Sequence, residues 1–121
     1  MTSTAELTLT EAQFMAQVTD LATLRGWLWY HARPARTLAG WTTPGSGPLA
    51  KGWPDLVLVR TTSQPRRLIF AELKTDTGRV SPEQLDAGLA FDDLRATDGL
   101  HGVEVYVWRP KFWDRIEATL R

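Results

Sequence analysis

The sequence predicts an α/β domain: a mixed four-stranded sheet flanked by helices, with elements in the order α-β-β-β-α-β-α. Three observations carry that expectation. Phe14, Met15, Val18, Leu21 and Ala22 recur at helical spacing, and "SPEQ" (81–84) opens a second segment of helical length. The runs "WLWYH", "DLVLVR", "RLIFAELK" and "VEVYVW" are rich in β-branched and aromatic residues. A short turn joins the second and third runs, which makes an antiparallel hairpin. A helix joins the third and fourth, which permits a parallel crossover. At 121 residues the chain suits one core and is too short for two, so residues 1–121 are expected to form a single domain.

Each element has local reasons. Thr10 followed by Gln13 reads as a capping box ahead of the first helix, and Gly26 supplies its stop. "WLWYH" (27–31) is the first strand. Residues 32–52 hold three prolines and four glycines and read as one long loop; loops of that length tend to be functional. "DLVLVR" (55–60) is the second strand, "TTSQPR" the turn and "RLIFAELK" the third strand. Ser81, Pro82 and Gln84 are in cap, first-turn and box positions for a helix running to about Asp98. "VEVYVW" (103–108) is the last strand, and a short helix starting near Pro110 closes the chain.

Composition narrows the function classes. Hydrophobic residues make up 43% and charged residues 23%, the balance of a globular domain. Without cysteine, disulfides and thiolate metal sites are excluded, and with no apolar span or signal-like N-terminus the expected location is cytoplasmic. Net charge is zero, yet nine basic residues against three acidic ones lie between Arg25 and Arg79. A basic middle on a neutral chain suits a localised polyanion-binding surface; the alternative is that these residues scatter once folded.

The stretch "FAELK" (70–74) raises the sharpest question, because two charges follow an apolar run. If Arg60 pairs with Arg67 across the hairpin, Asp55 stands opposite Glu72. Lys74 then shares the face of Glu72, about 6.6 Å further along. Side-by-side carboxylates repel, which raises one pKa or calls for a cation between them. A hard divalent ion, Mg²⁺ before all, resolves the conflict, and a lysine beside it can stabilise charge on a phosphate.

"GWPDLVLV" followed by "AELK" resembles the PD-(D/E)xK nuclease superfamily, and more closely its VRR-NUC family of small phage and bacterial nucleases related to Holliday-junction resolvases. The resemblance covers most of the chain, taking in "TEAQFMAQVTDLATLRGWLWYH", "KGWPDLVLV", "FAELKTDTGRVSPEQ" and "GVEVYVWRP" in order. It implies a restriction-endonuclease-like αβββαβ core with an extra C-terminal helix. It also implies a Mg²⁺-dependent endodeoxyribonuclease, Mn²⁺ substituting, that cuts branched DNA such as junctions or flaps as a homodimer. Asp55 and Glu72 match the family's metal ligands, with the Leu73 carbonyl helping, and Lys74 matches its catalytic lysine. Glu11 matches its first-helix glutamate, and Gln84 the glutamine that opens its second helix. The segment 85–102 departs from the family's pattern in length, and Gly88 and Leu89 stand near a usual tryptophan; this touches the dimer or substrate surface and leaves the catalytic blocks intact.

Plainer readings stand beside these. Glu11 suits a helix first turn, although it also heads the buried stripe of Phe14, Met15 and Val18. Gln84 is already explained as a capping-box residue. His31 reads first as a hydrogen-bonded structural residue and second as a substrate contact. Arg33, Arg36, Lys51 and Arg79 are candidate phosphate contacts, and Trp41 and Trp53 either meet DNA or a second subunit or pin the long loop. No base-reading motif is visible, which favours structure-selective cutting. The rival function is a nucleic-acid-binding module that keeps the fold without turnover.

Overall fold

The computed structural model describes residues 9–32, 35–37, 40–42, 45–95 and 102–121, the two three-residue pieces by their backbone alone. The elements are α1 (Glu11–Leu24), β1 (Leu28–His31), β2 (Ala35–Thr37), β3 (Gly40–Thr42), β4 (Leu56–Arg60), β5 (Arg67–Leu73), α2 (Pro82–Arg95), β6 (Val103–Trp108) and α3 (Trp113–Leu120). Four strands form one mixed sheet in the order β1-β4-β5-β6, antiparallel except for the β5–β6 pair. The four-stranded mixed sheet with helices on both faces is therefore as expected.

Local chemistry accounts for the ends. The Thr10 side chain accepts from the Gln13 N–H at 3.1 Å, and Gln13 Oε1 accepts from the Thr10 N–H at 2.9 Å, completing the expected capping box. At the other end of α1, Gly26 takes φ 80, a conformation that costs other residues a Cβ clash. That lets the Trp27 N–H reach the Ala22 carbonyl at 2.9 Å, the Schellman closure. Trp27 ends up buried ahead of β1, which begins one residue later than expected.

Alternation along β5 sorts the two layers. Ile69, Ala71 and Leu73 pack with Leu56 and Leu58 of β4 against Phe14, Val18, Ile116 and Leu120, so α1 and α3 share one face. On the other face Phe70 stacks on Phe91 of α2, ring centroids 4.1 Å apart, and Trp53 meets both rings edge-on. Trp53 thus pins the end of the long loop against α2.

Two expectations need correction. Residues 32–52 are not one irregular loop: β2 and β3 pair within it as a small antiparallel sheet, and Ala50–Gly52 form a 3₁₀ turn. Proline and glycine content reports the turns and hides the three-residue strands between them. The second helix is described as far as Arg95, and the expected residues 96–98 lie outside the described ones. Gly52 is fixed by packing, since a Cβ there would stand 2.0 Å from the Glu83 carbonyl oxygen. The 3₁₀ turn consequently seats on the start of α2, close to where β4 begins.

Candidate active site

The hairpin register is the expected one: Arg60 pairs with Arg67 and Leu56 with Ala71, so the next position sets Asp55 beside Glu72. Asp55 Oδ2 accepts from the Leu73 N–H at 2.9 Å, which anchors its carboxylate at the exit of β5. Glu72 is 6% exposed, the one charged side chain buried to this degree among the described residues. Its carboxyl is pushed up to about 9. Burial is the main cause; a hydrogen bond to Asp55 and that residue's charge follow, Glu11 adds to the rise and Lys74 opposes it.

Gln84 joins the two readings the sequence left open. Its Oε1 accepts from the Ser81 N–H at 2.9 Å and its own N–H donates to Ser81 Oγ at 3.1 Å, so it is a capping-box residue. The same amide donates from Nε2 to Glu72 Oε1 at 3.0 Å. One side chain therefore caps α2 and orients the buried carboxyl.

On the α1 side, Glu11, His31, Asp55 and Leu73 line a cavity of 280 Å³. Glu11 reaches it because α1 begins at that residue, with the charge at the helix end that faces the sheet exit. His31 arrives from β1, where it pairs with Leu56. On the α2 side, Glu72 and Gln84 edge a second cavity of 210 Å³ walled by Phe70, Leu85, Leu89 and Val105. Lys74 is held just beyond β5 by its N–H bond to the Trp108 carbonyl, 3.0 Å.

Of the surface candidates, Lys51 and Arg79 are exposed. Arg36 lies in β2 opposite Trp41, and its side chain, like all of Arg33, is outside the described residues. Three other basic residues of the central segment have structural partners. Arg25 pairs with Glu117 at 2.6 Å, Arg67 pairs with Glu104 at 2.6 Å, and Arg60 donates to main-chain carbonyls of Arg25, Leu120 and Arg121. The charge excess along the chain is thus only partly a surface feature.

Sequence reasoning missed a clamp on the loop after Lys74. Arg109 Nη1 donates to the Thr75 and Gly78 carbonyls at 2.7 and 2.6 Å, and Asp76 Oδ1 accepts from the Lys111 N–H at 2.8 Å. These bonds fix the backbone on which Lys74 and Arg79 stand, and they join segments more than thirty residues apart, so no local pattern announces them.

No family model, curated protein or solved structure matches this chain. The site has to be read from its own chemistry. Among the described residues, no group of three or more His, Asp or Glu side chains is arranged to hold a metal ion. Two carboxylates, Asp55 and Glu72, nonetheless meet at the exit of β5, where the Leu73 N–H bonds Asp55. Such a sparse, all-oxygen set fits Mg²⁺, which keeps several waters and needs only one or two carboxylates.

Proposed function

We propose that this protein is a metal-dependent DNA endonuclease that hydrolyses phosphodiester bonds, with branched DNA as its preferred substrate. One observation carries the reading: the hairpin register sets a buried carboxyl, Glu72, beside Asp55 at the exit of β5, two residues before Lys74. A buried acid set beside a second carboxylate destabilises the fold, and an ion-binding role would supply a reason for the arrangement.

Asp55, Glu72 and the Leu73 carbonyl would hold Mg²⁺ or Mn²⁺. When bound, the ion supplies charge neutralisation at the phosphate and a lowered pKa for water. Water oxygen would attack phosphorus and release its proton to solvent, the bond to the leaving sugar oxygen would break with that oxygen taking a proton from solvent, and the phosphate charge would peak between those events. Lys74 donates to a phosphate oxygen at that point. Gln84 keeps Glu72 in its ion-holding orientation, and Glu11 closes the cavity on the α1 side and accepts hydrogen bonds from water there. Lys51 and Arg79, with Arg33 and Arg36, would contact phosphates, and His31 lies where it can meet the strand in the cavity.

The preference for branched DNA follows from the absence of a base-reading element in the sequence. A domain this small presents little surface to a junction, so two copies would act together; a monomer by sedimentation with and without DNA would remove the dimer from the proposal. The decisive assay incubates labelled junction, flap, single-stranded and linear duplex DNA with Mg²⁺, Mn²⁺ or EDTA. Cleavage should require metal, favour the branched substrates and fall at least about 100-fold in Lys74→Ala. Equal rates for Lys74→Ala and the parent would sink the mechanism. Binding with no turnover in either metal would make the protein a binding module.

A further inference from the structure

Tyr30, Leu49 and Trp53 line a separate cleft of 350 Å³ with Ala32, Gly45, Ser46 and Ala50. Its rings are presented outward: Tyr30 is 64% exposed and Trp53 37%. Tyr30 stands on β1, an edge strand, in the cross-strand row Tyr30–Val57–Phe70, while Trp53 is held from behind by Phe70 and Phe91. One ring is therefore backed by two others, and the second, well exposed, lines the same cleft. Among the described residues no carboxylate lines the cleft, in contrast to the neighbouring 280 Å³ cavity. Lys51 follows Ala50 directly, is exposed, and makes no ion pair among the described residues. Ala32 lines both spaces, so the cleft opens beside the carboxylate site.

We propose that this cleft holds an unpaired base of a nucleic-acid strand, stacked on Tyr30 and Trp53, with Lys51 on the adjoining phosphate. The choice of a strand as occupant rests on the nuclease reading. The stacking itself follows from exposed rings beside an exposed cation, with no ion pair to that cation and no acidic lining among the described residues. Any base offers a π-face, so such a platform is tolerant of sequence and selective for single-stranded segments. A base stacked inside a duplex cannot enter without being unpaired. The cleft thereby gives the site a preference for substrates with single-stranded character next to the cut.

The test uses the whole chain in EDTA, with a labelled single strand and a blunt duplex of the same sequence followed by fluorescence anisotropy. Tyr30→Ala should weaken single-strand binding at least about five-fold and lower the single-strand to duplex affinity ratio. Tyr30→Phe should bind as the parent does, because the ring face and not the hydroxyl makes the contact. Within the strand, 2-aminopurine should be quenched by the parent and less so by Tyr30→Ala. Equal loss on both DNAs, or no loss on either, overturns the proposal. So does a change in sedimentation of the DNA-free Tyr30→Ala protein, which would make this face a contact between copies. If the parent binds single strands in this Tyr30-dependent way yet cuts nothing with any metal, the nuclease reading fails and the cleft stands. If it cuts and Tyr30→Ala binds like the parent, only the cleft fails.

Discussion

The two ends of the sheet handle charge in opposite ways. At the hairpin-turn end, Arg67 makes two 2.6 Å bonds to Glu104 and a third to the Thr119 carbonyl, and Arg60 donates to three carbonyls. Both guanidiniums lie over the Trp27 ring, 4.4 and 5.0 Å from its centroid. Burial alone would raise Glu104, but bonds from Arg67 and Tyr106 bring it below the ordinary carboxylate range. At the other end, about 16 Å along β4, burial and Asp55 drive Glu72 far the other way. One end locks the C-terminal helix to the sheet; the other sets two carboxylates side by side with one of them buried. On the proposed function, stability and chemistry would be spatially separated along the same two strands.

The strongest test of that contrast is Glu72→Gln. The amide keeps the shape and gives Asp55 a donor without a titrating proton. Cleavage should fall by at least about 100-fold, while the metal-free protein becomes more stable at pH 8 by denaturant melting. Lower stability in Glu72→Gln would show that the carboxyl pair is a structural device. The opposite substitution is Arg67→Ala, which leaves Glu104 with Tyr106 as its remaining hydrogen-bond partner among the described residues and the more distant charge of Arg60. The two side chains are 18% and 20% exposed, so a loss of about 2–4 kcal/mol is expected, below the cost of breaking a fully buried pair. Metal-dependent cleavage per folded molecule should be unchanged. A selective loss of cleavage there would couple the ends.

The pH response of stability has a different sign at each end. Glu104 is depressed in the fold, so its contribution is full above the ordinary carboxylate range and is lost as acid protonates it. Glu72 is raised, so the native state holds a proton the unfolded chain has released, and stability drains away as pH climbs from about 4.5 towards about 9. Metal-free protein should be most stable near about pH 5–6. Mg²⁺ should raise the melting temperature more at pH 8.5 than at pH 6, because the ion displaces that proton. A metal-free melting temperature that stays flat from pH 6 to 9 would contradict the raised Glu72 carboxyl.

Much of the site end could be read from the sequence, and the far end could not, for a physical reason. Asp55 and Glu72 meet through a hairpin, where register follows from a single pairing and the turn is short. Glu11 and Gln84 sit at helix starts, which capping residues announce. Arg25, Arg60 and Arg67 find Glu117, Glu104 and the carbonyls of residues 119–121 across long separations, so counting charges along the chain misassigns them to a surface. The pairing of β2 with β3 was hidden because three-residue strands carry too few side chains to show a period. Tyr30 gave no signal either, since an aromatic on a strand reads as core until the sheet is seen to leave its face uncovered.

The smallest effect, and the one that divides the site most finely, concerns the helix cap shared with it. Ser81→Ala removes the acceptor for the Gln84 N–H and should cost about 1 kcal/mol while leaving the Gln84 bond to Glu72 in place. Gln84→Ala loses the reciprocal half of the cap at similar cost and also removes the one side-chain N–H donor seen on Glu72 Oε1. A donor on a carboxylate favours its charged form, so its removal should push Glu72 higher still. Metal affinity in Gln84→Ala should therefore need a higher pH, whereas in Ser81→Ala its pH profile should overlay that of the parent. Equal stability losses with different pH profiles would separate capping from carboxyl positioning in a single residue. Overlapping profiles would leave Gln84 as a cap alone, with Glu72 oriented by Asp55.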